Sequence, residues 1–265
     1  MAGNTGAMQF SCARVRPVTP TERISHGLGA PHQIDHNRSR LCAWVIHFML
    51  NVELARTQMI AQQVRAWSVL DERVLATLEA VRREEFVPEN FRELAFADSA
   101  IPLGHGQCML PPKVDGRILQ TLELGKSDAV LEVGTGTGFL TACLAALAGT
   151  VRSLEIYPDL AALATRNLRA AGINGVSVET LDAWRIDELA RYDAIVVSGS
   201  MPTYDARFER ALKAGGRLFT VVGQSPVMEA MLVRRAGDAA AVHISLFETD
   251  IPALVNAHLP PRFAF

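Results

Sequence analysis

Cysteine, charge imbalance and long hydrophobic runs are all in short supply in this chain of 265 residues. Cys12, Cys42, Cys108 and Cys143 form no Cys-x-x-Cys pair and no Cys/His cluster at ligand spacing. That excludes a zinc ribbon or a disulfide framework, and it points to a reducing, cytoplasmic setting with no metal. Lys and Arg number 26 against 28 Asp and Glu, so the formal net charge is -2 and no bulk field selects nucleic acid or an anionic membrane. The longest early apolar run, LCAWVIHFML over residues 41–50, is half of the roughly 20 residues a bilayer-spanning helix requires. What is present, 49% hydrophobic and 20% charged residues, is the composition of a folded globular protein.

Residues 1–48 mix Gly, Pro, Ser and scattered Arg without a periodic apolar pattern. They read as a disordered extension, or as the product of a start codon placed too early, with Met49 opening the folded domain at 49–265. An Arg-rich, acid-poor leader also suits a targeting peptide, but the order of charged, apolar and cleavage regions is missing. From Asn51, residues Val52, Ala55, Met59, Ile60, Val64 and Trp67 recur at helical spacing, and Asp71 can cap a second helix whose Val74, Leu75, Leu78 and Val81 share a face. GHGQCMLPPK (104–113) reads as a loop, followed by a helix from about Val114 to Leu124. Strand character then alternates with helical stretches: Ala129 to Val133, Val151 to Ile156, Val176 to Thr180, Ala194 to Ser198 and Arg217 to Val222. This rhythm predicts an α/β fold with a doubly wound parallel sheet under an N-terminal helical cover. Met228 to Arg235 and Ala241 to Thr249, around the turn Ala236-Gly237-Asp238, predict an antiparallel last strand. In the tail, Phe247, Ile251 and Leu254 are expected to pack on the sheet, and Pro260-Pro261 argues against a further helix.

The strongest motif runs from an apolar strand into Gly134-Thr135-Gly136-Thr137-Gly138 and then into helix-forming Leu140 to Leu147. Such glycines let main chain approach a nucleotide-like ligand, although a merely tight turn has the same look. The spacing is GxGxG, whereas the dinucleotide fingerprint is GxGxxG, which sets a nicotinamide oxidoreductase behind other readings. Glu132, inside the strand, would repel a pyrophosphate and suits a cationic sulfonium and amino-acid moiety better. Glu155 ends the next strand and can accept both ribose hydroxyls. Asp182, followed by Ala183, ends the third and can accept from an adenine amine, with an ordinary helix N-cap as the rival role.

The segments VLEVGTGTGFLTACLA (130–145), SLEIYPDLAALA (153–164), LDAW (181–184), YDAIVVSGS (192–200) and LKAGGRLFTVVG (212–223) resemble the ordered motifs of class I S-adenosylmethionine-dependent methyltransferases. With RREEFVPE (82–89), LAFADSAIPLGHGQ (94–107) and Pro112 they resemble, more narrowly, the protein-L-isoaspartate O-methyltransferase family, over roughly residues 52–225. The resemblance implies a Rossmann-like fold, S-adenosyl-L-methionine as cofactor, and methyl transfer to the α-carboxylate of isoaspartyl residues in proteins or peptides, a repair reaction. Such a carboxylate has a pKa of about 3.5 and is already the nucleophile at neutral pH, so no general base is required. It also implies a cofactor site of Glu132, Gly134, Thr135, Gly136, Gly138, Glu155, Asp182, Ala183 and Ser198, and an acceptor mouth of His105, Gln107, Cys108, Met109 and Leu110.

One position departs from the family pattern. Where the family reads GQTISQP, with an active-site Ser, this chain reads Gly106-Gln107-Cys108-Met109-Leu110-Pro111-Pro112, so Leu110 stands in the Ser position. Alternatives therefore stay open: a small or partly apolar acceptor admitted by Met109 and Leu110, or a cofactor-binding protein without catalysis. Cys108 suits an apolar filler better than a nucleophile. His105 suits a solvated loop His or a group orienting a carboxylate. Lys113 and Arg117 can draw an anionic substrate or line a solvated helix face. Ser198, Gly199 and Ser200 end a strand that can face cofactor or substrate.

Overall fold

Apolar residues at helical spacing fold residues 51–59 into helix α1 in the computed structural model, which describes residues 51–237 and 240–259. These residues fall in the unit Ile46–Phe265. The readings made for residues 1–48, for the run at 41–50, for Asp238 and for Pro260-Pro261 lie outside the described residues. The helix expected to continue unchanged to Trp67 instead widens into a π turn, Ile60–Val64, and tightens into a 3₁₀ turn, Arg65–Trp67. Val64 ends fully buried.

Helix α2 (Glu72–Ala80) opens where Asp71 caps it, accepting from the Arg73 N–H at 2.8 Å, and buries Val74, Leu75 and Leu78. The segment read as a loop is a short antiparallel hairpin, β1 (Ile101–Gly104) and β2 (Gln107–Met109). Its turn is possible because Gly104, His105 and Gly106 all take positive φ, 88°, 55° and 72°. Three such residues in a row obscured strands of only three and four residues. Helix α3 (Pro112–Leu122) starts with Pro112, whose fixed φ suits a first helical turn. Its Gly116 admits close approach: a Cβ there would lie 2.9 Å from Val64 Cγ1.

The main sheet then forms from β3 (Ala129–Val133), β4 (Thr150–Glu155), β5 (Val176–Thr180), β6 (Tyr192–Met201), β7 (Leu212–Gln224), β8 (Val227–Arg234) and β9 (Val242–Thr249). Its order is β5-β4-β3-β6-β7-β8-β9. The ladders from β5 to β7 are parallel, and β7–β8 and β8–β9 are antiparallel. Antiparallel pairing therefore begins one strand earlier than the last.

Buried on both faces, β3 is apolar but for Glu132, and β6 carries the apolar run Ala194 to Val197. Val130 joins a cluster with residues of α2, α3 and of α4 (Phe139–Leu147), whereas Leu131 and Val133 join a second one with Ala183, Phe208 and Leu212. Helix α5 (Pro158–Ala170) packs on β4 and β5. Helix cover is uneven, because only a 3₁₀ turn, Ala183–Arg185, and the short α6 (Arg207–Ala211) accompany the second cluster. The chain reverses direction across the sheet beside β3, so the carboxyl ends of β3 and β6 diverge there and open a crevice.

Candidate active site

A cleft occupies that crevice. Its floor is Val133, Gly134 and Gly136; Glu155, Ile156 and Tyr157 follow β4, and Leu181 to Trp184 follow β5. The hairpin contributes Leu103, Gln107 and Cys108, with Leu110 just beyond it, and the far wall is Ser198 and Gly199 with Pro252, Leu254 and Val255 of the tail. A smaller chamber adjoins it, sharing Leu103, Cys108, Leu110, Gly134, Gly136 and Ser198, and adding Met109, Asp115, Thr135 and Thr137 among its walls.

The glycine loop is held by hydrogen bonds from three sides. Gly134 has φ +93°, and a Cβ on it would fall 2.4 Å from Ser198 Oγ. The Ser198 hydroxyl lies 2.9 Å from the carbonyls of both Val133 and Gly134, which ties β6 to the loop. Gly136 donates its N–H to Glu155 Oε2 at 2.9 Å, and Tyr157 donates to Glu155 Oε1 at 3.1 Å. Glu155 thus faces the cleft while it fixes the main chain on both sides. Bare main chain at Gly134 and Gly136, a carboxylate after β4 and another after β5 form a donor and acceptor set that fits an adenosine-type cofactor.

Other expected residues sit elsewhere. Glu132 is fully buried under the loop and does not line either space. Its Oε2 accepts from Thr141 Oγ1 at 2.5 Å and Ser153 Oγ at 2.6 Å, while Oε1 has no partner among the described residues. Burial pushes its carboxyl up to about 8, against the lowering effect of those two hydroxyls. Thr135 joins the same chain through Ser153, 2.6 Å away. Gly138, φ +89°, caps α4, and a Cβ there would meet Leu168 and Ala164 of α5 at 3.2 and 3.4 Å. The positive φ and the close approach of α5 both favour glycine there.

Asp182 takes the N-cap role weighed for it and also borders the cleft. Its Oδ1 accepts from the Trp184 N–H at 3.0 Å and Oδ2 from Asn256 Nδ2 at 2.9 Å. His105, expected at the acceptor mouth, turns away from the cleft: its Nε2 lies 2.9 Å from Asp159 Oδ2, and its ring stacks on Tyr157 at 4.0 Å. Lys113 pairs with Asp98 at 2.7 Å and Arg117 lies over Phe247, so neither faces the cleft. Burial raises the Cys108 thiol, as befits an apolar filler. Ser200 faces the tail: its N–H donates to the Pro252 carbonyl at 2.9 Å, and its carbonyl accepts from Leu254 at 2.9 Å.

Several wall residues had no sequence signal. The tail is brought over the cleft by Ser200 and by Trp184 Nε1, which donates to the Val255 carbonyl at 2.7 Å. Arg83 is fully buried and donates to the Leu110 carbonyl at 2.6 Å, the Ala95 carbonyl at 2.9 Å and Asp115 Oδ2 at 2.7 Å. An acid between Val114 and Ile118 on the apolar face of α3 was the one legible hint of that pair.

Comparison with known proteins agrees with this geometry. The family model for protein-L-isoaspartate(D-aspartate) O-methyltransferase matches residues 55–253. A protein-L-isoaspartate O-methyltransferase of Methanoculleus marisnigri is 39% identical over 184 residues, covering 69% of this chain and 84% of that one. A second, from Pelobacter propionicus, is 38% identical over 192 residues, covering 71% and 84%. Among solved structures, one from Plasmodium falciparum, described as a protein-L-isoaspartate O-methyltransferase in complex with S-adenosyl-L-homocysteine, shares the fold with a TM-score of 0.64 at 18% identity, over 75% of this chain and 97% of that one. The chain belongs to the protein-L-isoaspartate(D-aspartate) O-methyltransferase family, enzymes that take their methyl group from S-adenosyl-L-methionine.

Proposed function

We propose that this enzyme esterifies the α-carboxylate of isoaspartyl residues in proteins or peptides. The observation that carries the reading is the cleft at the carboxyl ends of β3, β4 and β5, opening toward the hairpin that precedes Leu110. S-adenosyl-L-methionine supplies a methyl group on a sulfonium when bound. Gly134 and Gly136 offer main chain to it, Glu155 accepts from the ribose, Asp182 and Ala183 meet the adenine, and Ser198 holds the loop opposite. Glu132, Thr135 and Gly138 act from behind the loop by fixing its shape.

The acceptor enters past Gln107, Cys108 and Leu110, with Met109 deeper in the adjoining chamber. Its carboxylate is ionised at neutral pH, so no residue here would need to take a proton for it to accept the methyl group that the bound cofactor would supply. The apolar walls contributed by Leu103, Leu110, Pro252 and Leu254 exclude water and hold the two partners in line, which is worth up to several kcal/mol. Leu110 supplies no hydroxyl, so placement, not hydrogen bonding from that position, carries the step.

Among the described residues no helix is long and apolar enough to cross a membrane. A reducing, cytoplasmic setting belongs to the same reading, supported by the free thiols of Cys108 and Cys143. Incubation with methyl-labelled S-adenosyl-L-methionine tests the whole. A base-labile ester on an isoaspartyl peptide, and none on its normal aspartyl twin, is expected; no ester on either, with cofactor still bound, would overturn the acceptor assignment.

A further inference from the structure

Two buried acids lie near the glycine loop, Glu132 and Asp115, and only one reaches the ligand space. Glu132 is sealed beneath the loop, with its carboxyl pushed up to about 8 and hence mostly neutral at pH 7. Asp115, in the first turn of α3, is 2% exposed and forms part of the wall of the inner chamber. One of its oxygens, Oδ2, takes the Arg83 Nη1 donor at 2.7 Å. Among the described residues nothing donates to the other, Oδ1.

All three nitrogens of Arg83 are engaged within the protein, Nη1 by Asp115 and the other two by the carbonyls of Ala95 and Leu110. The chamber therefore presents one open carboxylate oxygen, backed by a cation that is already matched. Such an oxygen attracts an incoming ammonium and repels a carboxylate. The chamber opens into the outer cleft across Gly134, Gly136 and Ser198, on the side away from the residues that follow β4 and β5.

We propose that Asp115 is the subsite for the α-ammonium of the cofactor's amino-acid moiety, the position that the sequence suggested for Glu132. The inference rests on the cofactor reading above and assigns the end of the cofactor distant from the adenine. Arg83 is the positioning residue: it fixes Oδ2 and leaves Oδ1 toward the chamber.

Calorimetric titration of the full chain separates this inference from the cofactor reading, using three ligands. These are S-adenosyl-L-homocysteine, its deamino analogue with hydrogen in place of the ammonium, and 5′-methylthioadenosine, which carries the nucleoside half alone. At pH 8 the first is expected to bind at least about 10-fold tighter than the second, the worth of one charge-assisted hydrogen bond. Asp115→Asn is expected to remove that preference and to leave binding of the other two ligands unchanged.

The preference should also shrink in the wild-type chain as pH falls from 8 to 6, because burial raises the Asp115 carboxyl to about 7 despite Arg83. The charged and titratable groups near Asp115 are Arg83, Cys108, Glu132 and Cys143. Burial pushes both thiols up, so they stay neutral across this range. Glu132 is the other group that titrates there, and Glu132→Gln should leave the pH effect in place.

Equal binding of S-adenosyl-L-homocysteine and its deamino analogue would overturn the inference and spare the cofactor reading. A loss of all three ligands in folded Asp115→Asn would overturn it too, by showing a purely structural role. Should Asp115→Asn fail to fold, the wild-type preference at the two pH values decides. No binding of any of the three to the wild-type chain would remove the cofactor reading, and this inference with it.

Discussion

The two sides of the cleft are built by different means. On the cofactor side, main chain and carboxylates lock one another: Glu155 fixes Gly136 and Tyr157, Ser198 fixes the β3 end, and Asp182 caps the turn after β5. On the acceptor side the walls are mainly apolar, and Arg83 holds the Leu110 carbonyl from behind. A ligand of fixed chemistry can be met by a fixed hydrogen-bond lattice, whereas a carboxylate on varied polypeptide surroundings is better met by shape and dryness.

The largest effect is expected at Arg83, which is fully buried behind the cleft. Arg83→Met leaves Asp115 buried without its partner and should cost about 3–5 kcal/mol of stability in urea unfolding. Breaking the exposed pair Arg65–Glu72, 2.6 Å apart, should cost less than about 1 kcal/mol. Equal costs would erase the distinction. On the cofactor side, Gly134→Ala meets both the positive φ and the Ser198 hydroxyl, and about 3 kcal/mol of strain and overpacking should lower affinity for S-adenosyl-L-homocysteine about 100-fold by calorimetry.

Glu155→Gln turns an amide N–H₂ toward one of two main-chain donors. Hydrogen bonds to a charged group are worth about 1.5–3 kcal/mol, so affinity for the same ligand should fall about 10- to 100-fold and the urea midpoint should fall with it. Glu132 gives a smaller, pH-dependent signal. Its folded pKa, about 8, lies above the ordinary 4.5, so the folded state holds the proton more tightly. That contribution is fully present below about pH 4.5 and is lost as pH rises through about 8. Glu132→Gln should therefore flatten the fall in stability between those limits, read from urea unfolding at pH 5 and pH 8. Leu110→Ser is expected to have the smallest effect on turnover, a few-fold rise in kcat on an isoaspartyl peptide, with a lowered Tm because Leu110 is 7% exposed in the core. An unchanged kcat would place the limitation elsewhere on the acceptor side.

The same contrast governs what could be read from the residues alone. β3, the glycine loop, Glu155 and Asp182 were legible because each is set by contiguous residues: an apolar run, a turn, an acid at a strand end. The hairpin at Gln107–Met109 was not, since the positive φ at Gly104, His105 and Gly106 hid three-residue strands behind turn composition. The tail over the cleft depends on Ser200 and Trp184, about 50 and 70 residues away, and no local pattern encodes such a contact. Glu132 and Gly138 were recognised as special, but their partners, Ser153 with Thr141 and α5, come from the third dimension. His105 was placed by proximity in sequence, whereas Tyr157 and Asp159 decide where its ring points.

One calorimetric comparison bears most directly on the whole reading: S-adenosyl-L-homocysteine and NAD titrated separately into the full chain. Saturable heat with the first and none with the second is the expected result. Saturable heat with NAD, and none with S-adenosyl-L-homocysteine, would contradict it.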